Sequence, residues 1–138
     1  MSAQHSEIFL PRITEANRPF WQGLSRGIFC STKCDYCERT TFPPRSMCPS
    51  CLSEKMSWVD LSGKGTIYAF TQNRIVPRAY IPQAPYITAM IDLSEGPRLL
   101  SRIKGVKYEK IYIGQEVSVR FEPLNNQIVS FYFSPVSL

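Results

Sequence analysis

Cys34-Asp35-Tyr36-Cys37, a gap of ten residues, and Cys48-Pro49-Ser50-Cys51 make up the stretch on which the fold of this chain turns. Two short-spaced cysteine pairs bring four thiolates together, as a tetrahedral ion with sulfur ligands requires. Each pair suits a tight knuckle whose backbone amides turn toward the sulfurs, and the intervening residues suffice for a small hairpin. Four soft ligands with no open position favour one structural zinc, or less often iron, over a catalytic metal. Two disulfides, or four unrelated thiols, are the competing readings. The paired spacing, repeated within 18 residues, argues for metal.

At 138 residues the chain fits one domain, or one domain plus a small metal-held module. With 43% apolar and 20% charged residues it has the means to build a core rather than remain disordered. No run approaches the length of a membrane span. The start, MSAQHSEIFLPR, reads as neither a basic n-region nor a long apolar h-region, so no secretory signal is expected. Together with cysteines at metal spacing, this points to a reducing cytoplasm. Cys30 is left over and reads as a buried free thiol, because the single histidine, His5, lies in the N-terminal tail. The net charge of +5 is compatible with nucleic acid, a phosphate-bearing small molecule or an acidic partner surface, and does not choose among them.

The chain reads as three parts: a leader and helix over 1–27, the metal module over 28–56, and a barrel over 57–138. Thr14 and Asn17 are helix-start signals, and Phe20, Trp21 and Leu24 form an apolar stripe on a short helix ending near Gly27. After the metal module the sequence is almost wholly strand-like. Trp58 to Leu61 alternates, and Ser62-Gly63-Lys64-Gly65 turns. Further strands are expected over 66–76, 86–93, 98–103, 116–122 and 128–133, with a stiff proline-rich loop over 77–85. About five strands with glycine breaks and one long connection favour a small closed barrel of the OB type over a sandwich. The fold class expected is mainly β.

With the knuckles, the Phe42-Pro43-Pro44-Arg45 hairpin and the Ser62-Gly63-Lys64-Gly65 turn in place, the chain resembles a known family. It is similar to the DUF35-type proteins of bacteria and archaea, which join a rubredoxin-like zinc ribbon to a C-terminal OB-fold. The resemblance also rests on Asn17 to Trp21, Trp58-Val59, Ile67-Tyr68, Phe70-Thr71, Glu95-Gly96-Pro97-Arg98-Leu99-Leu100, Gly114-Gln115, Val117 and Phe121-Glu122. One departure is Glu38, where many relatives carry glycine after the first knuckle. The resemblance implies a partner: relatives act as small subunits of enzymes handling coenzyme A thioesters, thiolases and thiolase-like acyltransferases among them. The larger subunit holds the reactive groups, and the small one shapes the acyl-CoA site.

The residues agree in one respect, since no catalytic set can be assembled from them: no nucleophile stands beside an evident base. The leading expectation is therefore a non-catalytic subunit in a hetero-oligomer. Zinc is held by Cys34, Cys37, Cys48 and Cys51. Phe20, Trp21, Tyr80 and Ile81 meet the partner, and Arg78, Lys104 and Lys107 are candidates for the phosphates of coenzyme A. The rival is a module for single-stranded nucleic acid, stacking bases on Tyr68, Phe70, Tyr86 and Tyr112 beside Arg74, Arg78, Arg98, Arg102 and Lys104. A purely structural adaptor is the third reading.

Overall fold

The computed structural model describes residues 10–136, so His5 and most of the expected leader lie outside the described residues. A helix, α1 (Arg18–Ser25), is the first regular element of the described residues. Pro19 suits the first turn, where its missing N–H has no helical acceptor to lose. Asn17 precedes the helix without capping it. Its side chain turns back, accepting from the Thr14 amide at 2.7 Å and donating to the Arg12 carbonyl at 3.1 Å. The stripe is as expected on one face, with Phe20 and Leu24 buried and Trp21 half-buried against the same core.

The chain then forms a three-stranded antiparallel sheet from β1 (Cys30–Cys34), β2 (Thr40–Thr41) and β3 (Met56–Asp60), in the order β2-β1-β3. The boundary expected at residue 57 falls inside β3. That strand pairs with β1 from Asp60↔Cys30 to Met56↔Cys34 and belongs to the ribbon's sheet, not to the barrel.

Five strands close the barrel: β4 (Lys64–Asn73), β5 (Tyr86–Leu93), β6 (Arg98–Ile103), β7 (Glu116–Pro123) and β8 (Val129–Pro135). Their order is β4-β5-β6-β8-β7, with β7 returning to β4. All neighbours are antiparallel except β6 and β8, which meet in parallel at one rung, Ile103↔Phe133. This is the Greek-key closure of an OB-fold. Alternation decides the inside: Ile87, Ala89, Ile91 and Leu93 of β5 point inward. The turn into β4 demands its glycines. Gly63 has φ +77, and a Cβ on Gly65 would lie 2.7 Å from the Asp92 carbonyl oxygen of the neighbouring strand.

The three parts are joined by phenylalanines. Phe20 from α1, Phe29 and Phe42 from the ribbon, and Phe131 and Phe133 from β8 pack with ring centroids 5.2–6.2 Å apart, mostly edge to face. That arrangement suits the ring quadrupoles. It also corrects one expectation: Phe20 is only 4% exposed, because the chain's own ribbon and barrel cover it, so it is not a partner anchor.

Candidate metal centre and docking surfaces

Both cysteine pairs fold into the same knuckle. In the first, the Cys34 amide donates to the Arg39 carbonyl and the Glu38 amide to the Cys34 carbonyl; in the second, Cys48 donates to Ser53 and Leu52 to Cys48. The amides thus turned inward meet sulfur: those of Tyr36 and Cys37 lie 3.4 Å from Cys34 Sγ. Four Sγ atoms lie within 4.8 Å of one another, with Cys34 and Cys51 at 3.5 Å and Cys37 and Cys48 at 3.6 Å. All are free thiols, so the disulfide reading falls. A tetrahedron with metal–sulfur bonds of about 2.3 Å has edges of roughly 3.8 Å, which fits this cluster.

The electrostatics prepare the site for a cation. Amide donors, Cys37 foremost, draw the Cys34 thiol below the usual range. The amide of Cys51, with that of Ser50, pulls Cys48 down to about 6. Cys51 stands high, at about 12: the Ser53 amide lowers it, but burial and its crowded neighbouring thiols raise it more. Four sulfurs this close resist losing four protons unless a divalent ion compensates the charge.

Glu38 and Leu52 occupy equivalent places, one residue after each second cysteine, and both have φ 65. This left-handed conformation costs an L side chain roughly 1–2 kcal/mol. Glycine at either position is expected to stabilise the zinc-loaded chain by about 0.5–1 kcal/mol, after allowing for its greater freedom when unfolded. Denaturant titration of Glu38→Gly and Leu52→Gly checks this, and equal or lower midpoints would show that the knuckles bear no strain.

Ser57 Oγ donates to Asp35 Oδ1 at 2.7 Å, but both side chains lie exposed on the ribbon rather than in a cleft that could hold a substrate. Cys30 is buried beneath α1 with Sγ 3.8 Å from the Pro19 carbonyl oxygen, and burial, then Asp60, pushes its thiol up.

The other expected contacts divide. Ile81 is 59% exposed in a 3-10 turn over Arg78–Gln83. Tyr80 is half-buried, its ring 6.3 Å from that of Tyr86. Arg78 and Lys107 are exposed. Lys104 is committed elsewhere: its Nζ lies 2.7 Å from Glu122 Oε1 and 4.9 Å over the Tyr132 ring, which takes it out of the phosphate set. Of the groups expected to bind nucleic acid, Tyr112, Arg74 and Arg78 are exposed, and others are engaged within the chain. Arg98 lies 3.5 Å over the Tyr68 ring and pairs with Asp92, while Arg102 lies 3.9 Å over Tyr86. Phe70 packs toward the core.

Sequence reasoning missed a cleft of about 580 Å³ whose lining includes Arg39, Phe42 and Arg45 of the ribbon with Glu95, Pro97 and Arg98 of the β5–β6 turn. It unites two stretches already noted, Phe42 to Arg45 and Glu95 to Arg98, that lie far apart in the chain.

Comparison with known proteins agrees with this architecture. Residues 21–57 match the ChsH2 rubredoxin-like zinc ribbon domain and residues 58–122 the ChsH2 C-terminal OB-fold domain. A DUF35 domain-containing scaffold protein of Methanocaldococcus jannaschii is 37% identical over 103 residues, 73% of each chain. The benzoylsuccinyl-CoA thiolase subunit BbsA of Thauera aromatica is 36% identical over 73 residues, 53% of this chain and 49% of its own. Among solved structures, a chain of the Ltp2-ChsH2(DUF35) aldolase superimposes with a TM-score of 0.80 at 25% identity, covering 91% of this chain and 98% of that one. With its four cysteines clustered for one structural zinc and its ribbon running into a five-stranded barrel, the chain belongs to the DUF35 family, in which a ChsH2-type zinc ribbon precedes an OB-fold.

Proposed function

We propose that this protein is the non-catalytic small subunit of a multi-subunit enzyme acting on coenzyme A thioesters, in the cytoplasm. The observation that carries the reading is its similarity, over both ribbon and barrel, to a chain of a DUF35-containing aldolase. The benzoylsuccinyl-CoA thiolase subunit supports it further. The residues are in keeping with that role: Cys30 is buried beneath α1, and the hydroxyl–carboxylate pair of Ser57 and Asp35 is exposed on the ribbon. In this reading the larger subunit supplies the reacting groups, most simply those of a thiolase-like acyltransferase. The turn with Tyr80 and Ile81 docks against it together with the exposed edge of Trp21. Arg78 and Lys107, both exposed, are the residues assigned to the phosphates of a shared coenzyme A thioester.

Two experiments test this. Affinity isolation from the native cell at low salt is expected to recover a larger acyl-CoA enzyme, whose activity rises when the two purified chains are mixed. The isolated chain is expected to turn over no acyl-CoA substrate. Turnover by the chain alone, lost in Cys30→Ala, would overturn the reading.

A further inference from the structure

Among the described residues β3 has one paired edge and one open edge, and the hydrogen bonds say which residues face outward. Leu61 donates to the Phe29 carbonyl and Asp35 to the Lys55 carbonyl. With the register Ser31↔Val59 and Lys33↔Ser57, this parity turns the backbone groups of residues 55, 57, 59 and 61 toward β1. Those of Met56, Trp58 and Asp60 therefore point away. Among the described residues, the amides and carbonyls of Trp58 and Asp60 have no partner in the chain.

Other edges are blunted. The barrel closes on itself. β2 is two residues long and is followed at once by Phe42-Pro43-Pro44, which offers no ladder. The edge of β3 has no such defence. Its sequence, Met-Ser-Trp-Val-Asp, contains neither proline nor lysine, and Trp58 at its centre is 39% exposed. Trp58 and Asp60, two apart, share one face of the sheet. Asp60 forms no ion pair among the described residues.

We infer that β3 is completed in the assembly by an extended segment of the larger subunit, added antiparallel along Met56–Asp60. The segment presents an apolar side chain beside the Trp58 indole and a cation opposite Asp60. This rests on the proposed function and names its docking edge. A second copy of this chain is a poorer occupant. Antiparallel pairing about Trp58 would set Met56, not a cation, opposite Asp60. It would also join two chains of charge +5 across a five-residue edge, far smaller than the roughly 1,200 Å² of a stable interface. A strand tethered to a large subunit docked elsewhere escapes that limit, because its local concentration is high.

The test is amide hydrogen exchange on the isolated chain and on its complex with the co-isolated larger subunit, resolved at residues 57–60. In the isolated chain, Ser57 and Val59 are expected to be protected and Trp58 and Asp60 to exchange freely. In the complex, Trp58 and Asp60 should slow at least about 100-fold. A pair of variants separates backbone from side chain. Trp58→Pro removes an outward N–H that the ribbon does not use, so it should bind at least about tenfold more weakly than Trp58→Ala. Zinc content and protection at Val59 report that each variant is folded.

A complex that forms without slowing Trp58 and Asp60 overturns the inference and leaves the proposed function standing. Protection by a larger subunit with no acyl-CoA activity sustains the inference and removes the proposed function. Protection in the isolated chain that rises with concentration assigns the edge to a second copy. Protection there independent of concentration assigns it to the chain's own residues 1–9. Either result overturns the inference, as does failure of any larger subunit to co-isolate.

Discussion

Cys48→Ser is expected to yield protein that holds less than one zinc per chain and lacks a folded ribbon. The ribbon buries little apolar surface of its own, and metal-ligand bonds do the work a core would do in a larger domain. Structural zinc sites of this kind contribute about 10–16 kcal/mol to folding, as much as the whole stability of a typical domain at about 5–15 kcal/mol. Elemental analysis should find one zinc in wild-type protein and a deficit in the variant. Amide exchange should show β1 and β3 unprotected in the variant. A chelator should reproduce that pattern in wild type.

Acid acts in the same direction. Since Cys48 is drawn down to about 6, it offers zinc a thiolate over a pH range in which an ordinary thiol is protonated. That thiolate is lost as pH falls through about 6. Zinc competes with protons at the same sulfurs, so release of the metal should likewise grow steeper on acidification. Freshly purified, reduced protein without metal, or metal retained fully by Cys48→Ser, would refute the structural role.

Phe29→Ala should cost about 3–5 kcal/mol, enough to consume much of the chain's stability. The ring is buried among Phe20, Phe42, Phe131 and Phe133, so its removal leaves a cavity touching helix, ribbon and barrel at once. Denaturant unfolding followed by both zinc release and circular dichroism should show the two signals moving together to a lower midpoint. Ile81→Ala provides the contrast: an exposed side chain on a surface turn should change the midpoint by less than about 0.5 kcal/mol. A drop confined to zinc release, with the barrel unaffected, would mean that the phenylalanines do not couple the parts.

Much of this was legible in the residues, for physical reasons that differ from place to place. The metal cluster was readable because ligand spacing is local chemistry. The barrel strands were readable because alternation along Tyr86–Leu93 and around Val117 records a single buried face. Glu38 was noticed as a departure, and the structure puts it at φ 65; its counterpart Leu52 went unnoticed because nothing in its own neighbourhood marks it. The helix stripe was legible, but its destination was not. Phe20 faces Phe131 across more than a hundred residues of chain, and no local pattern distinguishes a ring that packs at home from one offered to a partner. Lys104 escaped for the same reason: Glu122 lies on a different strand. The open edge of β3 depends on hydrogen-bond parity, which a sequence does not record.

The single parallel rung between β6 and β8 gives the barrel a seam. One further backbone bond, from the Lys104 amide to the Phe133 carbonyl, continues it. Lys104 then reaches over Tyr132 of β8 to Glu122 of β7, so the side chain straps three strands together where the ladder is thinnest. On the far side of that seam, β8 is held by Phe131 against the ribbon. The barrel thus has long β4–β5, β5–β6 and β7–β8 ladders, and a clasp between β6 and β8 in which one rung and one further backbone bond are reinforced by a lysine and an aromatic ring. Breathing motions should begin at the clasp. Because Phe131 packs against both Phe29 and Phe42 of the ribbon, loss of the metal is expected to loosen the clasp as well, read as faster amide exchange at Lys104 when zinc is removed.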